Sequence, residues 1–184
     1  MSSLIAVLDA NVLIPAAPRD TLLRAAEARL FQLRWSDDIL GEVERNLVGH
    51  GLTSDLDARD LLNEMRSYFL EALVRGYEPL VTSMSNAPED RHVLAAAVRA
   101  GAHVIVTENR SDFPQDALAP FGIEAQTIDR FLTELFLGWP ARMVRIVQQQ
   151  ADDLNDPPMT IDELLDELSI WAPTFVDLVR ERSG

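Results

Sequence analysis

Acidic side chains in this chain fall where carboxylates can act together. Asp9 ends the apolar run Leu4-Ile5-Ala6-Val7-Leu8. Glu42 follows a second short apolar segment, Phe31 to Trp35. Asp90 opens the Ala-rich stretch that runs to Ala100, and Glu108, Asn109 and Asp112 follow Val104-Ile105-Val106-Thr107. Crowded carboxylates repel one another and raise one another's pKa. Three or four together are tolerable mainly when a divalent cation neutralises them. Oxygen-only donors, with no thiol and little imidazole, favour Mg²⁺, Mn²⁺ or Ca²⁺ over Zn²⁺. The chemistry such a site supports is metal-assisted phosphoryl hydrolysis, in which the ion activates a water and stabilises charge on the phosphodiester.

Each acid also has a plainer reading. Asp90 could be a helix N-cap, Glu42 a solvated helix residue, and Asp112 a cap on the turn before Pro114. Asp9, directly behind a strongly apolar run, is the hardest to read this way. Joint placement raises the case for chemistry above that of any single residue.

The elements that must position these groups alternate. Leu4–Leu8 and Val104–Thr107 read as buried parallel strands. Phe31–Trp35, Glu78–Val81 and Glu124–Ile128 read as shorter ones. Between them come helical periods over residues 20–31, from Ser36 to about Leu47, over 55–74 with one interruption, and from Asp90 to Ala100, stopped by Gly101. Strands alternating with helices predict an α/β fold, three-layer α/β/α, with a central parallel sheet of about five strands. Ligands bind such sheets beyond the carboxyl ends of the strands, which is where Asp9 and residues 108–112 fall. Gly138 and Pro140 break the pattern. Residues 1–136 therefore read as the main domain and 137–184 as a helical extension, in which Thr160-Ile161-Asp162-Glu163 has the form of a capping box.

Composition narrows the options. The 184 residues include no cysteine, which excludes disulfides, thiolate metal sites and cysteine nucleophiles and suits a reducing cytoplasm. No apolar run reaches the roughly 20 residues needed to cross a bilayer. The start at Met1 shows no secretory signal, so the mature chain is expected to begin there. Net charge is −14, with −9 in residues 1–136 and −5 in the shorter 137–184. That excess is unusual for a protein that binds phosphate backbones. All 16 basic residues are Arg, which fits a GC-rich bacterial genome. The absence of Lys excludes a P-loop NTPase, a phosphoaspartyl phosphatase and a response-regulator receiver. No glycine-rich turn follows the first strand, against a dinucleotide-binding fold.

Four segments resemble the PIN domain family. They are Leu8-Asp9-Ala10-Asn11-Val12-Leu13; Ser36 to Leu47, with Glu42 at the acidic position; Asp90-Arg91-His92-Val93-Leu94-Ala95-Ala96-Ala97; and Val104 to Pro114. The resemblance covers about residues 4–132. It implies a ribonuclease using Mg²⁺ or Mn²⁺, of the kind found as VapC-type toxins in bacterial toxin–antitoxin pairs. It further implies an RNA substrate, a protein antitoxin, and a homodimer or higher homo-oligomer, with no membrane association. Asp9 and Asp90 would contact the metal directly, and Glu42 and Asp112 directly or through water. Many members carry Asp where this chain has Asn109. The fourth acid is therefore shifted to Asp112, with Asn109 as a neutral ligand or water holder, and one metal is a safer expectation than two. Asn11 would orient Asp9, Thr107 would hydrogen-bond a carboxylate or water, and Arg91 and Arg110 would grip phosphates. His92, close to these residues, is read as structural or capping. The alternative is a catalytically inactive PIN-like module that binds a protein or RNA.

Overall fold

The structure, a computed structural model, describes residues 4–183; the reading of the start as lacking a signal concerns Met1–Ser3, which lie outside the described residues. Contacts divide the chain into two compact units. One contains the stretch up to Ile14 together with Phe31–Gln126, and the other contains Pro15–Leu30 together with the residues from Thr127 onward.

The first unit holds a four-stranded, wholly parallel sheet. Its strands are β1 (Ile5–Leu8), β2 (Gln32–Arg34), β3 (Val104–Val106) and β4 (Glu124–Gln126), in the order β2-β1-β3-β4. Ala6, Val7, Leu8, Ile105 and Val106 are completely buried. That burial explains why these strands read as continuous apolar runs rather than alternating ones. From β1 the chain moves outward to β2, then returns past β1 to form β3 on the other side. The β1/β3 boundary is therefore the topological switch point, beside which open α/β sheets bind ligands.

About five strands were expected, and four are found among the described residues. Glu78–Val81 is not a strand: Glu78–Ser83 is a 3₁₀ segment with Pro79 in its first turn. Proline fixes φ and removes a ladder donor, which suits a helical start better than a strand. The outer edge of β2 carries a single parallel bridge instead, Trp35 to Leu73, with Trp35 N–H donating to Ala72 O (3.0 Å) and Val74 N–H to Trp35 O (2.8 Å).

Helices α1 (Ala10–Leu13), α3 (Asp37–Gly49), α4 (Asp55–Tyr68), α5 (Arg91–Ala100) and α6 (Gln115–Leu118) complete this unit. Ser36 caps α3, its hydroxyl accepting from Ile39 N–H, and α3 buries Ile39, Leu40, Val43 and Leu47. The expected interruption in residues 55–74 falls at Phe69, after which Leu70–Ala72 is 3₁₀. Helix α5 buries Val93 to Ala97 and packs on β1 and β3. It ends at Gly101, whose φ of 63° is left-handed.

The second unit is all helix: α2 (Ala16–Glu27), α7 (Ile128–Gly138), α8 (Pro140–Asp153), α9 (Ile161–Ser169) and α10 (Pro173–Ser183). Its limits depart from the expected division at residue 136. Helix α7 buries Ile128, Phe131, Leu132, Leu135 and Phe136 and packs with α8 and α10, while α2 packs with α8 and α9. Thr21 Oγ1 lies 2.7 Å from Gln150 Oε1, and Gln150 Nε2 donates to Ala17 O (3.0 Å), so a buried polar network joins α2 to α8. Thr160 and Glu163 form a reciprocal capping box on α9. Among the described residues no helix is long and apolar enough to cross a membrane.

Candidate active site

Asp9 stands one residue beyond β1, with 3% of its surface exposed. Its backbone N–H donates to Val106 O across the switch point (3.1 Å). Its carboxylate is held from three directions. Oδ1 accepts from Ala10 N–H (2.8 Å), and Oδ2 accepts from the Thr107 hydroxyl (2.8 Å) and from Asn11 Nδ2 (2.9 Å). Burial drives the Asp9 pKa upward. The Thr107 and Ala10 hydrogen bonds pull it back, the Glu42 charge raises it further and His92 opposes that, leaving it above the ordinary carboxylate value. A carboxylate offers about four lone-pair sites. Three are taken here, so one on Oδ1 stays open.

Asn11 and Thr107 lock the two strand ends together. Asn11 Nδ2 also lies 3.0 Å from Thr107 Oγ1, and Asn11 Oδ1 accepts from Glu108 N–H (3.0 Å). Thr107 Oγ1 accepts from Asn109 N–H (3.1 Å). The loop behind β3 is thus anchored to the turn behind β1.

Asp90 sits at the N-cap position of α5 yet caps nothing: its side chain makes no hydrogen bond to the helix backbone. The helix-cap reading of this residue therefore lapses. Its pKa is pushed up to about 6, first by burial and then by the charges of Asp9, Asp112 and Glu42, with His92 opposing. Those causes place four carboxylates from four chain segments within electrostatic reach of one another. The segment before α5 is braced. Asn86, itself buried, donates from Nδ2 to Asp90 O (3.0 Å), and Ala87 N–H donates to Asp112 O (3.1 Å), tying the third acidic segment to the fourth.

Glu42 extends from α3, and its Oε1 lies 2.9 Å from Nε2 of His92 on α5. Burial alone would lower the His92 pKa. The Glu42 hydrogen bond and the charges of Glu42, Asp38 and Asp9 outweigh it, and the net shift is upward. This pair was not legible in the sequence, where the two residues stand 50 positions apart. Asp38, on the same helix as Glu42, accepts from the Tyr77 hydroxyl (2.6 Å), which helps hold Tyr77 up at about 12 after burial, the larger cause.

The remaining candidates spread around these groups. Asn109 is exposed, and Asp112 is half-buried in the 3₁₀ turn Arg110–Asp112. Arg91 Nε donates to Asn86 O (3.3 Å), and Arg110 is exposed. Among the described residues neither arginine is in an ion pair, so the surface salt bridge that would have explained them is not found.

The donors fit a small, hard divalent cation. They are carboxylate oxygens, partly desolvated, two of them with pKa values raised first by burial and then by neighbouring carboxylate charge, which a cation would offset. Among the described residues no three His, Asp or Glu side chains converge into a ready-made cage. A Mg²⁺ ion does not require one, because it is commonly gripped by one or two carboxylates and keeps water on the rest of its shell.

A model described as PIN domain matches residues 6–111, more than half of the chain. The chain belongs to the PIN domain family, and the α/β architecture with its parallel sheet is consistent with that fold. A second model, described as VapC50 C-terminal domain, matches residues 128–181. The chain is 41% identical over 109 residues to the protein named "Putative ribonuclease VapC50" from Mycobacterium tuberculosis (strain ATCC 25618 / H37Rv). That match takes in 59% of this chain and 64% of the relative's length. No solved structure matches the chain.

Proposed function

We propose that this protein is an endoribonuclease that hydrolyses RNA phosphodiester bonds with a divalent cation, Mg²⁺ or Mn²⁺, and serves as the toxin of a bacterial toxin–antitoxin pair. The observation that carries the reading is Asp90, a half-buried carboxylate that begins a helix without capping it and whose pKa is raised in part by three other carboxylates. Selection for stability alone would not assemble such a group. RNA as substrate is supported by the likeness to a relative whose printed name is "Putative ribonuclease VapC50", and an antitoxin as partner is what the resemblance to VapC-type toxins implies.

In this reading Asp9 and Asp90 hold the cation directly, and Glu42 and Asp112 hold it directly or through water. When bound, the cation supplies Lewis-acid stabilisation of the phosphoryl oxygens and a more acidic water. The chain's own residues do the rest. Asn11 and Thr107 keep the Asp9 carboxylate in one orientation, and Asn109 orients water as a neutral group. Arg91 and Arg110 offer paired N–H donors to the phosphate oxygens of the strand. Cytoplasmic residence and self-association into a homodimer or larger assembly belong to the same proposal.

A second reading has one observation in its favour. The lack of a ready-made three-ligand cluster among the described residues suits an inactive PIN-like module that binds a protein or RNA. Incubating structured and unstructured RNA with Mg²⁺ or Mn²⁺ separates the two. The nuclease reading expects cleavage by the parent protein and a loss of about 100-fold or more, or some 2.7 kcal/mol of barrier, in Asp9→Asn and Asp90→Asn. Equal rates in all three proteins would leave only the binding module.

A further inference from the structure

We propose that His92 is a positioning residue, whose Nε2 holds the Glu42 carboxylate in the one orientation that serves the Asp9–Asp90 cluster. The inference rests on the metal-dependent reading above and deepens it.

The geometry is specific. His92 Nε2 lies 2.9 Å from Glu42 Oε1, and both side chains are largely screened from solvent, at 15% and 29% exposure. The other ring nitrogen, Nδ1, is buried with no hydrogen-bond partner among the described residues. A buried N–H left without an acceptor bears its full desolvation penalty. The neutral ring therefore carries its proton on Nε2 and donates it to Glu42. Nothing else competes for this imidazole, and its one bond goes to a carboxylate of the cluster.

The bond is also not a by-product of helix packing. The chief packing partners of α3 are α1 and α4, whereas those of α5 are β1, β3 and the 3₁₀ segments Glu78–Ser83 and Pro88–Asp90. Each helix buries its own apolar face without this contact. His92 reaches across from a helix seated on the sheet to a flexible acid on another. Immobilising a Glu side chain costs rotamer freedom. One bond from a rigid platform meets that cost before any ion arrives. Hydrogen-bonding partners of metal-ligating carboxylates are typically worth about 10- to 100-fold in metal affinity.

The test is calorimetric titration of the full-length, metal-free protein with Mn²⁺, alongside its thermal unfolding. The parent would be compared with His92→Leu, His92→Gln and Asp90→Asn. We expect His92→Leu to weaken Mn²⁺ binding by about 10- to 100-fold. His92→Gln, whose amide nitrogen can occupy the place of Nε2, should stay within a few-fold of the parent, and Asp90→Asn should lose binding. Parental affinity in His92→Leu, with binding lost in Asp90→Asn, overturns the proposal while leaving the metal site standing. Parental affinity in Asp90→Asn overturns the metal reading itself, and this inference with it. Should His92→Leu fail to fold, His92→Gln is compared with His92→Asn, whose nitrogen falls short of Glu42. Tight binding by Gln and weak binding by Asn supports the role, and equal binding rejects it.

Discussion

Asn11 bridges Asp9 and Thr107, its amide nitrogen 2.9 Å from Asp9 Oδ2 and 3.0 Å from Thr107 Oγ1. Two residues from the end of one strand and one from the end of its neighbour thus share a closed ring of hydrogen bonds around a buried carboxylate. In low dielectric such a network is costly to leave half-satisfied.

Thr107→Val removes the hydroxyl that donates to Asp9 at 2.8 Å and leaves the shape almost unchanged. Taking one donor from a buried carboxylate should cost about 1–3 kcal/mol of stability. Urea unfolding of the metal-free protein measures this. A change below about 0.5 kcal/mol, within the usual range for surface substitutions, would show that Thr107 is not a significant partner of Asp9.

The pH dependence of stability follows from Asp90. Its folded-state pKa, about 6, lies above the ordinary aspartate value of 3.8. The unfolded chain therefore gives up this proton more readily than the folded one. The contribution is fully present below about pH 4 and is lost as pH rises through about 6. With chelator present, the melting temperature should fall over that interval, and Mg²⁺ or Mn²⁺ added near neutral pH should restore it. Asp90→Asn should flatten the profile. Superimposable profiles for parent and variant would remove Asp90 as the cause.

Arg110 is exposed, has no ion-pair partner among the described residues, and follows the fourth acidic segment. If it meets a phosphate, Arg110→Gln should weaken RNA binding uniformly across sequences. It should also reduce the slope of log affinity against log salt by about 1. An unchanged slope in a filter-binding or anisotropy titration would place the arginine outside the RNA path.

Gly101→Ala tests the stop of α5. The site has room, since nothing lies within 4 Å of an added Cβ, but φ is +63°. The cost is then conformational, about 1–2 kcal/mol, and it should appear in unfolding without changing Mn²⁺ affinity. A drop in Mn²⁺ affinity would reveal that the end of α5 is coupled to Asp90 at its start.

The sequence carried the parts of the fold that repeat a physical period. β1 and β3 stood out because both faces are buried and no polar residue interrupts them. α5 stood out through its run of alanines and the glycine that ends it. Glu78–Val81 misled because Leu80 and Val81 look like strand residues, while Pro79 already favours a helical turn. The true contact at that sheet edge, through Leu73, is one isolated residue with no pattern to detect. Of the candidate acids, Asp9, Asp90 and Asp112 draw notice because each lies at or near a strand or helix boundary, whereas Glu42, inside α3, is marked mainly by the family resemblance. The His92–Glu42 bond and the brace from Asn86 were not legible, because they join segments whose proximity is decided only by the folded sheet.

The all-helical unit is assembled from two pieces of chain. Its α2 segment, Pro15–Leu30, is made long before the rest, and the bond from Thr21 to Gln150 spans 129 positions. At about 5–20 residues per second, a ribosome needs on the order of 6 to 26 s between those two residues. Through that interval Leu22 and Ala25, which end fully buried, have none of their α8 and α9 neighbours to cover them. The region matched as a C-terminal domain, residues 128–181, omits this early helix. A fragment cut at that boundary would lack α2 and leave the facing sides of α8 and α9 wet. The helical unit can be completed only after α8 and α9 have been made, and any isolated piece intended to represent it has to bring residues 15–30 along.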